Sequence, residues 1–336
     1  MKKFILKLQL FAWSEGQAGS PTVNPVNVTT QSSLAVTMKT FYDTTLLENA
    51  REQMIFTQFG DEQPLHGNKV EWRKFNTFAK AMTPLQEGVV PTGQLFGMTN
   101  IEAETAQYGT YTTLTDRVQM ETFDNVIYGA TEEMGASQAE TYDTLTRNVL
   151  VAGNSVMYCP DGETEIKSRS AITKNCILTP DVVSRANTWL KKNKAPKIDG
   201  KYVAIIHPSV AYDLRKSEDW KEAHKYQDAV KIFNGEIGEL HNVRFIESTN
   251  SKIWKEGADG CAVYATLFLG KSAFGILKPD GESMQMIIKT KEQIGGPLEQ
   301  WGTIGYKFNH GAKILYQERM LRVESGSYFS DTDEAN

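Results

Sequence analysis

Cysteine is scarce. The 336 residues hold three, Cys159, Cys176 and Cys261, and no Cys-x-x-Cys spacing joins any two. A disulfide framework is thereby excluded, no zinc pattern is present, and free thiols are expected. Histidine is sparse as well, with His66, His207, His224, His241 and His310. None lies in a His-Glu-x-x-His motif or beside a second ligand at metal spacing, so neither a metal nor a cofactor is expected. The chain has no Gly-x-Ser-x-Gly nucleophile elbow and no Gly-x-x-x-x-Gly-Lys phosphate loop. No apolar run approaches the roughly 20 residues that cross a bilayer, which argues against a membrane partner. A basic excess is missing too: 36 Lys and Arg against 41 Asp and Glu leave a net charge of -5. A dedicated nucleic-acid binder would carry a basic face instead. No catalytic constellation emerges, and an enzyme is not expected.

What is present is ordinary globular material, 40% hydrophobic and 23% charged, with unequal stretches along it. A chain of this length buries about three quarters of its unfolded surface and needs no staple. Residues 1–12 include Phe4, Leu6, Leu8, Leu10 and Phe11, interrupted by Lys7 and Gln9. The interruption breaks the apolar core of a signal peptide, so this is read as an amphipathic arm. Residues 14–33 are rich in Gly, Ser, Pro, Asn and Thr and cannot pack alone. They read as a linker, or as an arm that orders on a partner. Residues 43–60 predict a helix, N-capped by Asp43 and stopped by Gly60.

From Lys69 to Arg73 the residues alternate, with Val70 and Trp72 on one face, and Phe75 and Phe78 extend the run. A second extended run, residues 101–118, is rich in Thr and Tyr and contains Tyr108 and Tyr111. Between the two lie Pro84, Gly88, Pro91, Gly93 and Gly97, which break regular structure. The segment therefore predicts a long hairpin with a wide tip. An isolated hairpin is marginal in water, so its aromatic side chains need a cover. Either the body of the same chain or a neighbouring chain supplies it.

Residues 123–152 change to helical spacing and predict a rod on the order of 45 Å long. Residues 177–278 alternate helix and strand. Pro180 and Asp181 mark one helix start, residues 202–206 a buried strand, and His207-Pro208 a second helix start with a hydrogen-bonded histidine. Residues 219–233 predict a further helix, and Gly235 to Gly238 a helix cap followed by a turn. Residues 284–289, 302–308 and 312–323 predict strands, and the acidic end from Ser325 a frayed tail.

Several phrases, taken in order, resemble the major capsid proteins of tailed bacteriophages with the Hong Kong 97 fold, in the group named for coliphage N-four. They are Leu85-Gln-Glu-Gly-Val-Val-Pro91, Gln107-Tyr-Gly-Thr-Tyr111, Leu114-Thr-Asp116, Ile205-Ile-His-Pro208, Gly235-Glu-Ile-Gly-Glu-Leu240, Val243-Arg-Phe-Ile-Glu-Ser248 and Gly302-Thr-Ile-Gly-Tyr-Lys307. The resemblance implies an α+β capsid fold of four parts. These are an N-terminal arm and short helix (1–61), an extended β-hairpin loop (62–118), a peripheral domain with a long spine helix (119–175 and 283–325) and an α/β axial domain (176–282), ahead of a C-terminal tail (326–336). No large charged extension precedes the arm, so a fused scaffolding segment is not expected.

The same resemblance implies a homo-oligomer of hexamers and pentamers in an icosahedral shell. That shell would enclose double-stranded DNA held non-specifically, in a virion assembled in the bacterial host cytoplasm. A portal, a separate scaffolding protein and a possible decoration protein are the implied partners. The inter-subunit contact candidates are Phe4, Leu8 and Phe11 in the arm and Trp72, Phe75, Phe78, Tyr108 and Tyr111 in the hairpin. Two rivals are weighed: a cellular nanocompartment shell of encapsulin type, and an α/β hydrolase or transferase with its site in 177–278.

Overall fold

A computed structural model describes residues 54–65, 69–90, 92–116, 126–218, 220–221, 236–279, 284–294, 298 and 300–336. The arm and most of the helix expected over 43–60 lie outside them. The end of that helix is a 3-10 turn, Phe56–Phe59. A side chain of another element holds this turn: the Phe56 and Thr57 N–H groups donate to Asp143 Oδ1 at 2.9 and 3.3 Å.

The chain then forms β1 (Asp61–Leu65), β2 (Lys69–Phe75), β3 (Met98–Glu104), β4 (Ala106–Thr115), α1 (Val126–Val151) and β5 (Val156–Tyr158). It continues through α2 (Pro180–Lys192), β6 (Tyr202–Ile206), α3 (Pro208–Lys216), β7 (Glu236–Leu240), β8 (Val243–Glu247), β9 (Ile253–Trp254) and β10 (Val263–Leu269). It ends with β11 (Phe274–Pro279), β12 (Gln285–Lys289), α4 (Lys291–Ile294), β13 (Trp301–His310), β14 (Ala312–Ile314) and β15 (Met320–Ser325).

The largest sheet runs β5-β15-β10-β6-β8-β7, with β9 paired to β10. Its central strands β6 and β10 are buried at every residue because both faces are covered. Alternation along β6 shows this: Tyr202, Ala204 and Ile206 join Val183, Leu190 and Val210 of α2 and α3. Val203 and Ile205 point the other way, to Leu150 and Val151 of α1 and to Phe274. Pro180 opens α2 with Asp181 in its first turn and Lys191 and Lys192 in its last, as the dipole favours. At the start of α3, the Ser209 N–H donates to His207 Nδ1 at 3.2 Å.

A second sheet, β12-β13-β4, is antiparallel. The N-terminal half of α1 lies on it, packing Ile127, Ala130 and Met134 against Leu114, Met286 and Ile304. A helix of 26 residues spans about 39 Å, so α1 is one rod with a different sheet under each half. A smaller sheet, β1-β11-β14, and the two-stranded β2-β3 complete the fold.

Five expectations need correction. The run over 101–118 is two strands rather than one: residues up to Glu104 pair with β2, and those from Ala106 pair with β13. The stretch from Gly235 is no cap and turn, since Glu236–Leu240 is an edge strand that bulges near Gly238. The run over 312–323 is broken by the 3-10 turn Gln317–Arg319. Its second part, β15, does not join the β12-β13-β4 sheet. It lies between β5 and β10, held by a full antiparallel ladder with β10.

The tail is not frayed. Ser327 is buried, and its Oγ donates to Asp213 Oδ2 at 2.7 Å. The Tyr264 hydroxyl donates to Asp333 Oδ2 at 2.7 Å, and the Ile253 N–H donates to Asn336 Oδ1 at 3.0 Å.

Candidate assembly surface

The hairpin is built on the β2-β3 ladder, in register from Lys69 opposite Glu104 to Phe75 opposite Met98. Lys69 and Glu104 close its base as an ion pair. Alternation along β2 turns Val70, Trp72 and Lys74 inward and Phe75 outward. Trp72 lies on its own chain: a Cβ added to Gly275 would sit 2.8 Å from Trp72 Cζ2, so the missing side chain of Gly275 makes the room. Lys74 Nζ stands 4.5 Å from the centre of the Tyr316 ring. The base of the hairpin is thus fastened to the body, and Trp72 is part of that fastening.

Beyond Phe75 the hairpin leaves the body. The Asn76 N–H donates to Gly97 O at 2.9 Å, and Gln94 Nε2 donates to Ala79 O at 2.9 Å. These bonds set the shape of the tip without covering it. Phe96 gathers Phe75 and Phe78, with ring centres 5.0 and 5.6 Å away. All three rings are still exposed, as are Met82, Leu85, Val89, Val90, Leu95 and Met98. Leu95 is 98% exposed and Val90 90%, so these side chains gain almost nothing from the rest of the chain. Residues 76–97 carry only two charges, Lys80 and Glu87. So many exposed apolar side chains with so little charge are typical of surfaces that bind a partner.

Tyr108 and Tyr111, expected on the hairpin, belong to β4 in the β12-β13-β4 sheet. Tyr108 is half-buried and stacks on Phe308 at 5.8 Å. Tyr111 is exposed, opposite Gly305 in the ladder. The structure therefore brings together Phe75 and Phe78 and separates them from Trp72, Tyr108 and Tyr111. Phe4, Leu8 and Phe11 lie outside the described residues. Sequence reasoning missed Phe96.

The titratable groups that depart from ordinary behaviour are buried under the body. Burial raises the Asp143 carboxyl to about 6 despite hydrogen bonds from the backbone of Thr57, Ile55 and Phe56 and from Asn250 that favour its charged form. Burial lowers His310 to about 4; its Nε2 lies 2.9 Å from Thr146 Oγ1. Burial also raises Tyr142, whose ring meets that of His310 edge-on at 4.6 Å, to about 12. All three sit where α1 meets the end of β13 or the 3-10 turn, which is a packing role. Among the described residues, no group of three His, Cys, Asp or Glu side chains could hold a metal ion.

No protein-family model matches the sequence, and no curated protein does. Solved structures do. The capsid of Ralstonia phage GP4 superposes with a TM-score of 0.63 at 14% identity, covering 98% of this chain and 99% of that one. This chain has a phage-capsid fold. The capsid asymmetric unit of cyanophage Pam1 gives a TM-score of 0.64 at 11% identity, with 95% and 99% covered. The capsid of cyanophage P-SCSP1u gives 0.62 at 14%, with 82% and 88% covered. The mixed α+β architecture, several sheets with helices packed on them, matches the Hong Kong 97-like fold of these capsid structures.

Proposed function

We propose that the protein is the major capsid protein of a tailed phage, and that its hairpin tip is covered by neighbouring copies in an icosahedral shell. The observation that carries this reading is the tip itself: Phe75, Phe78 and Phe96 clustered and exposed on a body with a phage-capsid fold. Burying one large apolar side chain is worth about 1.5 to 3 kcal/mol. Association also costs translational and ordering entropy. Each contact is therefore modest, and a shell of many repeated contacts is durable. A head-to-tail contact of this kind closes only when its rotation suits the curvature, which hexamers and pentamers of one chain satisfy.

Trp72 serves as the hinge-side anchor of the hairpin, with Phe75, Phe78 and Phe96 making the contact. Phe4, Leu8 and Phe11 supply a second clamp from the arm. The enclosed partner is double-stranded DNA held non-specifically, which a net charge of -5 suits because the wall would not grip it tightly. The place of action is the virion, assembled in the host cytoplasm with a portal, a separate scaffold and a possible decoration protein. Negative-stain microscopy of the purified chain tests this: closed shells of uniform size are expected. Monomers alone, at concentrations where the tip should be saturated, would overturn it.

A further inference from the structure

The end of α2, the turn before β11 and the 3-10 turn Gln317–Arg319 meet beside the largest sheet. The Lys271 N–H donates to Pro196 O at 2.9 Å, and the Gly270 N–H donates to Arg319 O at 2.8 Å. A Cβ on Gly270 would stand 3.0 Å from Pro196 O and 3.2 Å from Arg319 O, so glycine permits the approach. This junction brings together Lys191, Lys192, Lys194, Lys197, Lys271 and Arg319. Lys191, Lys192, Lys194 and Lys271 are exposed. Among the described residues none of the six is in an ion pair, whereas Lys201, next along the chain, is held by Glu239. The segments 191–201, 270–271 and 316–319 hold only two acids, Asp199 and Glu318. Arg319 is steadied by an aromatic ring: its guanidinium lies 3.7 Å from the centre of Tyr316, and Lys74 Nζ approaches the same ring at 4.5 Å.

The helix dipole favours cations at a C-terminus, which accounts for Lys191 and Lys192. It does not account for Lys194. The Ala195 N–H donates to Leu190 O and the Lys194 N–H to Lys191 O, both at 3.0 Å, the paired bonds of a Schellman stop. Residue 194 takes a φ of 55°, the left-handed position where glycine is usual. Lysine there carries backbone strain that glycine would avoid, and what it adds is a charge. We propose that this patch is where the capsid wall meets packaged duplex DNA, its lysines contacting backbone phosphates; the claim rests on the capsid reading above. With a net charge of -5, the surface outside the patch is more acidic still, so contact is confined to it. Lysine suits the role as a point charge on a flexible stem. Phosphate contacts carry no sequence information, as a container requires. Duplex DNA carries one charge per roughly 1.7 Å of axis and releases counterions on binding, which favours it over an acidic protein segment.

The test is fluorescence anisotropy of a labelled random-sequence DNA duplex titrated with the purified full chain. About four phosphate contacts predict a roughly 100-fold fall in affinity between about 50 and 200 mM salt. Lys191→Gln, Lys194→Gln, Lys197→Gln and Lys271→Gln together should weaken binding at least about tenfold at the lower salt and flatten the salt dependence. The same change at four other exposed lysines, Lys167, Lys174, Lys255 and Lys289, alters net charge equally and should weaken binding less than about threefold. Equal losses from the two sets overturn the proposal, because only net charge would then matter. Labelled poly-glutamate bound as tightly as the duplex also overturns it, in favour of an acidic protein partner. Lys194→Gly separates charge from structure: a melting temperature no lower than that of the unmodified chain, with weaker DNA binding, is expected. Unchanged binding in that variant contradicts the role given to the strained lysine. The assay reads binding whether or not the subunits assemble. Absence of shells in microscopy therefore contradicts the capsid reading, while equal losses from the two lysine sets contradict the DNA surface itself.

Discussion

Two apolar stretches of this chain end in opposite places. Every residue of β10, Val263–Leu269, is buried. In residues 75–98, nine large apolar side chains are exposed. Local composition does not separate them; neighbours do. β10 has β15 and β6 on its edges and apolar clusters on both faces. Among the described residues, the hairpin tip has its own ladder at the base, a few hydrogen bonds within itself and two ring contacts around Phe96. The proposed contact with sister copies would give the tip the cover that its own chain does not supply.

The comparison can be broken first at β10. Phe268→Ala deletes a fully buried ring and should cost about 3 to 5 kcal/mol, read by chemical denaturation. A loss under 1 kcal/mol would mean that this sheet is not the core. Next is the ion cluster that ties β15 down. Glu324, fully buried, accepts from Arg169 Nε at 2.8 Å and from Arg322 Nε at 2.8 Å. Its hydrogen bond to Arg169 is the largest cause that holds that guanidinium protonated above its ordinary range. Glu324→Ala leaves the buried Arg322 without a carboxylate and Arg169 with Glu256 alone, at 2.7 Å, and should cost about 3 kcal/mol, whereas an exposed ion pair such as Lys278 with Glu62 should cost under about 1 kcal/mol.

The spine helix gives a pH effect of opposed signs. With Asp143 raised from 3.8 to about 6, the folded chain holds a proton that the unfolded chain has lost, so stability grows as pH falls through 6. With His310 lowered from 6.5 to about 4, the unfolded chain takes up the proton first, so stability falls over the same window. Each effect amounts to no more than about 3 kcal/mol, and together they largely cancel. Asp143→Asn should therefore reveal acid destabilisation between pH 6 and 4, and His310→Gln acid stabilisation. Parallel curves for both variants would contradict the assignment. The smallest effect on the single chain belongs to the tip: Phe75→Ala, Phe78→Ala and Phe96→Ala together should shift its unfolding by no more than about 1 kcal/mol, because exposed side chains have little burial to lose.

Elements whose signals are local were legible in the sequence. β6 falls at residues 202–206 as its apolar run implies, Pro180 and Pro208 open α2 and α3, and helical spacing marks α1 to within a few residues. What could not be read depends on distant partners. Nothing near Thr105 says that pairing passes from β2 to β13, because that handover is decided by residues some 200 positions later. Trp72 reads in the sequence as a contact residue, and the Gly275 that makes room for it on its own chain lies some 200 positions later. The tail looked frayed because its acids are polar in isolation; Asp213 and Tyr264 give it partners. Of the candidate surface, Phe75 and Phe78 were legible from their place at the hairpin's end, and Phe96 was not, because residues 76–97 form an irregular tip with no period to follow.

The most direct measurement is microscopy and sedimentation of the Phe75, Phe78 and Phe96 triple alanine variant beside the unmodified chain. Closed particles from the unmodified chain, and only small species from a variant that melts at the same temperature, are predicted. Particles of equal yield and size from both would contradict the claim that sister copies cover the tip.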